Sequence, residues 1–255
     1  MTPASASATV AAVGATSATA TGSAVVVPTG LGTRFLADGA YAVLNAGASL
    51  LSCDGANADC LAARQRGAGL SLDNNTWAMV AVDAAGIGAP SSSAVVEIPA
   101  GAVVRSAGLY WSGGVPAVTA EGIAPDDAAL GSALLVAPGG SPVAISAQTV
   151  ERQGSRYLSS LDVTAQVAAA GSGTWSFGGA QIATGLGADG GWSLVIVIED
   201  PTLPSTRVAV FDGLQVIASG TPAGFALPSV RGGAASVGIV AWDGDAGSVG
   251  DAVLV

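Results

Sequence analysis

The chain has 255 residues, 8 of them basic and 18 acidic, for a formal net charge of -10, and it contains no histidine. All the basic residues are arginine. Without histidine or lysine there is no Ser-His or Cys-His pair, no Schiff base and no phosphate-loop lysine. An acidic surface repels phosphate, so we expect neither a nucleic-acid partner nor docking on anionic lipid.

Composition and spacing predict an all-β fold. Hydrophobic residues make up 50% of the chain and charged residues 10%, and the 37 glycines fall between short apolar runs. Short strand-prone runs closed by turn residues are typical of sandwiches and barrels. We expect a low-complexity tail over residues 1–24 and a single β-sandwich domain over residues 25–255. No apolar run reaches the length of about 20 residues that a membrane span requires.

The two cysteines come first along the domain. Cys53 and Cys60 flank a loop rich in Gly, Asn and Asp that can fold back on itself. The sequence lacks the further soft ligands that zinc would need, so we predict a local disulfide, with buried free thiols as the alternative. A disulfide would indicate an oxidising compartment.

Polar residues near Trp77 form a candidate sugar site. Asp73, Asn74 and Asn75 precede this tryptophan, and Asp83 follows it. Sugar recognition needs such groups beside an exposed aromatic face, whereas the tryptophans lie in or beside strand-like runs, so core packing is the preferred interpretation.

Paired carboxylates for glycoside hydrolysis need neither His nor Lys. However, none of the four glutamates lies in an aromatic-rich polar stretch, so we expect no enzyme; the four are Glu97, Glu121, Glu151 and Glu199.

One segment departs from the strand pattern. In SSLDVTAQVAAAGSG, Leu161, Val163 and Val167 follow helical spacing, Ser160 or Asp162 can cap the start, and Gly171 can end the helix. We predict one short crossover helix. Followed by TWSFGG, the segment resembles the crossover of galactose-binding-like jelly rolls, which favours a jelly-roll sandwich.

The stretch GGWSLVIVIEDPTLPSTRVAVFDGLQ predicts a central strand and a returning strand. Apolar side chains occupy both faces from Trp192 to Ile198, and the prolines that follow end the strand at Glu199 and Asp200. We interpret Glu199, Asp200 and Asp212 as rim and turn residues, with Arg207 nearby as a candidate partner. Catalytic or metal-binding roles are the alternatives.

The segment WDGDAGSVGD is the strongest candidate metal site. Asp243, Asp245 and Asp251 alternate with glycines, and Ca²⁺ favours several carboxylate oxygens on a flexible backbone. The closing Glu of an EF-hand is missing. Calcium is therefore the candidate cofactor, and an acidic hairpin turn is the alternative.

Seven segments of the chain together form one recognisable pattern. They are LLSC, DNNTWAMVAVD, SSSAVVEIPAGAVVRSAGLYWSGG, LDVTAQVAAAGSGTW, GGWSLVIVIEDP, RVAVFDGLQ and WDGDAGSVGD, and the combination of AGLYW, GWSLV and FDG is the most specific part. The pattern resembles the N-terminal β-domain of large secreted bacterial surface proteins that carry strings of immunoglobulin-like repeats. The resemblance implies an extracellular, cell-surface location and an adhesive or structural task, and it implies no catalytic residues.

Both ends of the chain read as strands, SAVVVPTG near the start and DAVLV at the finish. An apolar sheet edge without lysine is a template for another chain. We therefore expect a non-catalytic structural or adhesive module whose partners are copies of itself, through strand addition, or other cell-surface components. Pairing of the two ends within one monomer is the alternative to self-assembly. The alternative function is a calcium-dependent carbohydrate-binding module with a glycan partner.

Overall fold

The computed structural model describes residues 7–12, 18–21, 31–65, 72–117, 124–217 and 234–243. Most of the regular structure in these residues is β-strand. The strands are β1 (Ser7–Ala12), β2 (Ala18–Thr21), β3 (Gly32–Gly39), β4 (Tyr41–Ser49), β5 (Leu51–Cys53), β6 (Met79–Ala81), β7 (Ser91–Val96), β8 (Val103–Gly114), β9 (Ser132–Val136), β10 (Val143–Ser146), β11 (Thr149–Gln153), β12 (Arg156–Asp162), β13 (Gly173–Gly178), β14 (Gly190–Glu199), β15 (Thr206–Asp212) and β16 (Ala234–Ile239). The helices are α1 (Ala58–Arg64), α2 (Asp127–Leu130) and α3 (Thr164–Ala170).

Two antiparallel sheets form the sandwich. One sheet has the strand order β10-β9-β13-β7 and the other the order β11-β12-β8-β14-β4. β14 pairs with β8 on one side and with β4 on the other, which confirms the predicted central strand. The all-β sandwich is therefore confirmed, and the jelly-roll connectivity stays a prediction.

An aromatic stack fills the space between the sheets. The Phe177 ring of β13 lies 5.5 Å from the Trp111 ring of β8 and 5.7 Å from the Trp192 ring of β14. All three side chains are almost completely buried, as is Trp175. The Trp192 indole N–H donates to Ser92 Oγ at 2.9 Å, and the Trp111 indole N–H donates to the Leu130 carbonyl at 3.0 Å. These tryptophans pack in the core, as predicted.

The predicted crossover helix is α3, which ends at Gly171 with a φ of 68°. Its N-cap residue is Val163, one position after Asp162; the Asp162 carboxylate accepts a hydrogen bond from the Thr164 amide at 2.9 Å. Ser160 belongs to β12 and does not cap the helix. Helices α1 and α2 were not predicted from the sequence. Within the described residues, no helix is both long enough and apolar enough to cross a membrane.

A disulfide joins Cys53 at the end of β5 to Cys60 in α1. Both cysteines are buried in a second, smaller apolar cluster with Leu51, Met79 and Ala188. Asn57 caps α1 by accepting a hydrogen bond from the Cys60 amide at 3.0 Å. The predicted pairing of the two cysteines is confirmed.

Further strands lie outside the two main sheets. β3 pairs with β15, and β5 pairs with β6. Two strands fall within residues 1–24, the stretch expected to be a tail: β1 pairs antiparallel with β2 and parallel with β16 of the same chain. The predicted terminal strands SAVVVPTG and DAVLV lie outside the described residues.

Candidate functional site

Asp243 is the one member of the predicted calcium set that the structure describes, since Asp245 and Asp251 lie outside the described residues. Its Oδ1 accepts a hydrogen bond from Asn74 at 2.7 Å, and its Oδ2 lies 3.3 Å from Nη2 of Arg156. Arg156 also forms an ion pair with Asp189. The described portion of the chain holds no group of three or more His, Cys, Asp or Glu side chains arranged to bind a metal.

The electrostatics of this cluster follow from the burial of Asp189. Its side chain is only 8% exposed, and burial raises its pKa above the usual range, while the positive charge of Arg156 opposes the shift. Asp243 adds a second negative charge that raises the pKa further. The arginine therefore pairs with two carboxylates at once and links the chain after β16 to the sandwich.

The residues of the candidate sugar site serve local structure. Asp73 Oδ1 accepts from the Asn75 amide at 2.8 Å, a contact that lowers the pKa of Asp73. Asn74 is buried and donates to the Ala188 carbonyl at 3.3 Å. Asp83 accepts from the Ser91 hydroxyl at 2.6 Å and from two backbone amides, and these bonds lower its pKa.

The rest of this set is used for packing. The Trp77 side chain packs against the smaller apolar cluster that contains the disulfide. Sequence reasoning favoured packing over an exposed platform for this tryptophan, and its place in the cluster agrees with that interpretation.

The three acids near the β14–β15 connection have separate surroundings. Glu199 forms an ion pair with Arg105, whose Nε donates at 2.6 Å. Asp200 accepts from the amide and the hydroxyl of Thr202 at 2.9 and 2.7 Å, and the hydroxyl bond is the main cause of its lowered pKa. Glu199 is therefore a rim residue and Asp200 a turn residue, as predicted, although Asp200 is buried.

Arg207, the candidate partner of these acids, pairs with Asp38. Its Nε and Nη2 donate to Asp38 at 2.8 and 2.6 Å. The two residues face each other in the β15–β3 register, where opposite charges directly across from one another attract. The role of Arg207 beside Glu199, Asp200 or Asp212 stays a prediction.

Asp212 instead lines a cavity against the outer face of the five-stranded sheet. Because side chains alternate along β8, Trp111 points into the core and Tyr110 points to the opposite face. Register places Ser160 of β12 and Ser193 of β14 beside Tyr110 on this face. The Tyr110 hydroxyl donates to Asp212 Oδ2 at 2.9 Å, which brings the end of β15 over the sheet.

The cavity has a volume of about 350 Å³, and we call it the polar pocket. Its lining combines hydrogen-bond donors and acceptors from β3, β8, β11, β12 and β15. The polar side chains are those of Arg34, Tyr110, Thr149, Glu151, Ser160 and Asp212.

Among the residues that line the polar pocket in the described part of the chain, two carboxylates, Glu151 and Asp212, accompany one guanidinium, Arg34. Arg34 lies 3.9 Å from Asp212 and 3.4 Å from Asp162. Glu151 Oε2 accepts from the Leu214 amide at 3.0 Å. Burial of Tyr110, reinforced by the negative charge of Asp212, raises the tyrosine pKa far above its usual value, so Tyr110 is a neutral hydrogen-bond donor.

Sequence reasoning missed the polar pocket. It treated Glu151 as one of four isolated glutamates and Asp212 as a turn residue, and it did not single out Arg34 or Tyr110. The alternation of Tyr110 with the core residue Trp111 was the one available signal that a tyrosine would lie on the outer face of a sheet.

A second feature lies where β4 and β7 come together, at one edge of the sandwich. In the part of the chain that the structure describes, each is the terminal strand of its sheet. A groove of about 450 Å³ lies between them, and Val43 and Val95 are 45% and 62% exposed. We call this region, Tyr41–Ser49 and Ser91–Val96, the β4–β7 seam.

The resemblance to secreted surface proteins stays a prediction. Comparison with protein-family models, curated proteins and solved structures finds no match to this chain.

Proposed function

We propose that this chain is a non-catalytic structural and adhesive module of the bacterial cell surface, and that it associates with copies of itself through the β4–β7 seam. The main observation in support is that β4 and β7, two adjacent terminal strands, contain neither a charged residue nor a proline. Terminal strands of monomeric proteins are commonly protected by such residues, because their unpaired amide and carbonyl groups otherwise accept a strand from another molecule.

The opposite edge of the same sheet differs. Its terminal strand is β11, which carries Glu151 and Arg152, and both side chains are exposed. Charged side chains on an edge strand oppose pairing with a second copy. Within the five-stranded sheet, this contrast favours β4 over β11 as the edge that assembles.

The groove, which Glu97 also lines at the end of β7, adds apolar surface to the exposed backbone. A strand that pairs with β4 or β7 would cover Val43 and Val95, which the monomer leaves in water. Burial of apolar surface stabilises association by about 25 cal/mol per Å² before the entropic cost of binding. Strand addition therefore combines backbone hydrogen bonds with apolar contacts.

Pairing of β1 with β16 within one chain supports the seam over β1 as the surface that assembles. From the sequence we expected strand addition to a neighbour, with pairing of the two ends within one monomer as the alternative. A β1 strand already hydrogen-bonded on both sides has no free edge to give to a neighbour.

The disulfide supports the proposed location, and the composition supports the proposed non-catalytic task. A disulfide between Cys53 and Cys60 persists in oxidising compartments such as the cell exterior. The absence of His and Lys removes the commonest general bases and amine nucleophiles, which supports a non-catalytic task.

The test is multi-angle light scattering of the wild type, Val95→Lys and Leu186→Lys at micromolar concentrations. Leu186 is 67% exposed and lies in a loop, so Leu186→Lys adds the same charge away from the seam. We expect oligomers for the wild type and for Leu186→Lys, and monomers for Val95→Lys with an unchanged circular dichroism spectrum. A wild type that stays monomeric, or a Val95→Lys variant that assembles normally, would contradict the proposal.

A further inference from the structure

We infer that the polar pocket binds a neutral, hydroxyl-rich ligand, the chemical class of the uncharged hexose units of glycans, and that this binding requires no metal ion. The inference goes beyond the proposed self-association, because the polar pocket and the β4–β7 seam are formed by different residues.

The size of the polar pocket suits a small ligand. Its volume of about 350 Å³ lies within the range of roughly 300 to 1,000 Å³ that small-molecule sites occupy. Residues far apart in sequence line it, since Arg34 comes from β3, Glu151 from β11 and Asp212 from β15. The site thus exists only in the folded sandwich.

The hydrogen-bonding groups match those of a polyol. The carboxylates of Glu151 and Asp212 accept hydrogen bonds, the guanidinium of Arg34 donates them, and the Thr149 hydroxyl can do both. Each sugar hydroxyl also donates and accepts. Two adjacent hydroxyls can therefore satisfy a carboxylate and a guanidinium at the same time, and bonds to charged groups are stronger than those between neutral groups.

Contacts within the protein already orient these groups. The Tyr110 hydroxyl donates to Asp212, and the Leu214 amide donates to Glu151. Thr149 Oγ1 and Ser160 Oγ lie 2.5 Å apart. Groups held in place before the ligand arrives lose less entropy on binding, so this arrangement favours affinity.

Charge determines the class of sugar. Among the described residues, Arg34 forms ion pairs with Asp162 and Asp212, and Glu151 is a further carboxylate in the lining; this excess of negative charge repels sialic acids, uronic acids and phosphates. Tyr110 lines the pocket but is only 6% exposed, so its ring offers no stacking platform. Recognition is therefore by hydrogen bonds to hydroxyl groups.

Independence from calcium follows from the same residues. The arginine that lines the pocket supplies the positive charge for nearby carboxylates, and its guanidinium lies 3.9 Å from Asp212. A divalent cation at this point would be repelled by Arg34. The inference therefore differs from the calcium-dependent site that the sequence suggested around Asp243.

The test is a glycan array of neutral, acidic and amino-sugar glycans, with isothermal titration of any hit, in buffer containing a chelator. The variants are Glu151→Gln, which keeps an acceptor for the Leu214 amide, and Glu97→Gln as an exposed control beside the seam. We expect neutral glycans to bind, and affinity to fall at least tenfold in Glu151→Gln but not in Glu97→Gln.

Four outcomes would overturn the inference: no neutral glycan binds, acidic or amino-sugar glycans bind in preference, the chelator abolishes binding, or Glu151→Gln binds as well as the wild type. Repeating the titration with Val95→Lys separates this inference from the proposed function. We expect that variant to bind neutral glycans normally even where it no longer assembles.

Discussion

Removal of the disulfide gives a stability change that can be worked from the chain. The Cys53–Cys60 bond has a sequence separation of 7 and so closes a loop of eight residues. The chain-entropy relation assigns such a loop a stabilisation of about 2.5 kcal/mol at 25 °C. Both cysteines are buried, so the double variant Cys53→Ala/Cys60→Ala also loses apolar contacts, and we expect a total loss somewhat above this value.

The assay is equilibrium urea unfolding followed by tryptophan fluorescence, with Ala56→Ser as the control. Ala56 lies exposed within the same loop, and its substitution leaves the crosslink intact. We expect less than about 0.5 kcal/mol for this control, as for most surface changes. A loss below about 1 kcal/mol in the double variant would refute the reasoning, because loop closure would then contribute little to stability.

Three further predictions concern the core and one loop. Phe177→Ala should lower the free energy of unfolding by about 3–5 kcal/mol in urea titrations, because the ring is fully buried between two tryptophans. Ser92→Ala should cost about 1–3 kcal/mol in the same assay, since the buried Trp192 N–H loses its acceptor. The Ser91 hydroxyl bond lowers the pKa of Asp83, so Asp83 contributes stability above the usual pKa of about 3.9, and this contribution is lost as pH falls below it. Asp83→Asn should therefore be less stable than the wild type at neutral pH, with a difference that shrinks in acid.

Local sequence patterns predicted the elements whose conformation follows from the spacing of their own apolar side chains. Apolar residues on both faces from Trp192 to Ile198 predicted a strand that is covered on both faces of its sheet, and such coverage is most complete at the centre of a sheet, where β14 lies between β4 and β8. Helical spacing around Val167 likewise predicted α3, where that side chain is fully buried. In both cases the periodicity of burial is present in a short window of sequence.

The two helices that were not predicted, α1 and α2, lack such a stretch of periodic apolar residues. α1 begins inside the loop between the cysteines, where Asn57 was read as a turn residue although it caps the helix. α2 has only four residues, DAAL, which is too short for helical periodicity to appear. Their formation depends on single capping contacts that a pattern of apolar residues does not reveal.

The polar pocket could not be predicted, because no local motif encodes it. Arg34 and Asp212 are brought over the sheet by pairing of β3 with β15, and Glu151 reaches the same cavity from β11. Register also determined the partner of Arg207, which is Asp38 across the two strands. Contacts of this kind require the strand order and alignment, which hydrophobic periodicity leaves open.

The central claim, assembly through the β4–β7 seam, is tested most directly by hydrogen exchange with mass spectrometry at low and high protein concentration. We predict that amides in Tyr41–Ser49 and Ser91–Val96 gain protection as concentration rises, while those of the charged edge strand Thr149–Gln153 do not. Strand pairing with a second copy slows exchange because it gives edge amides new acceptors. Concentration-dependent protection at Thr149–Gln153, or oligomers without any protection at the seam, would contradict the account.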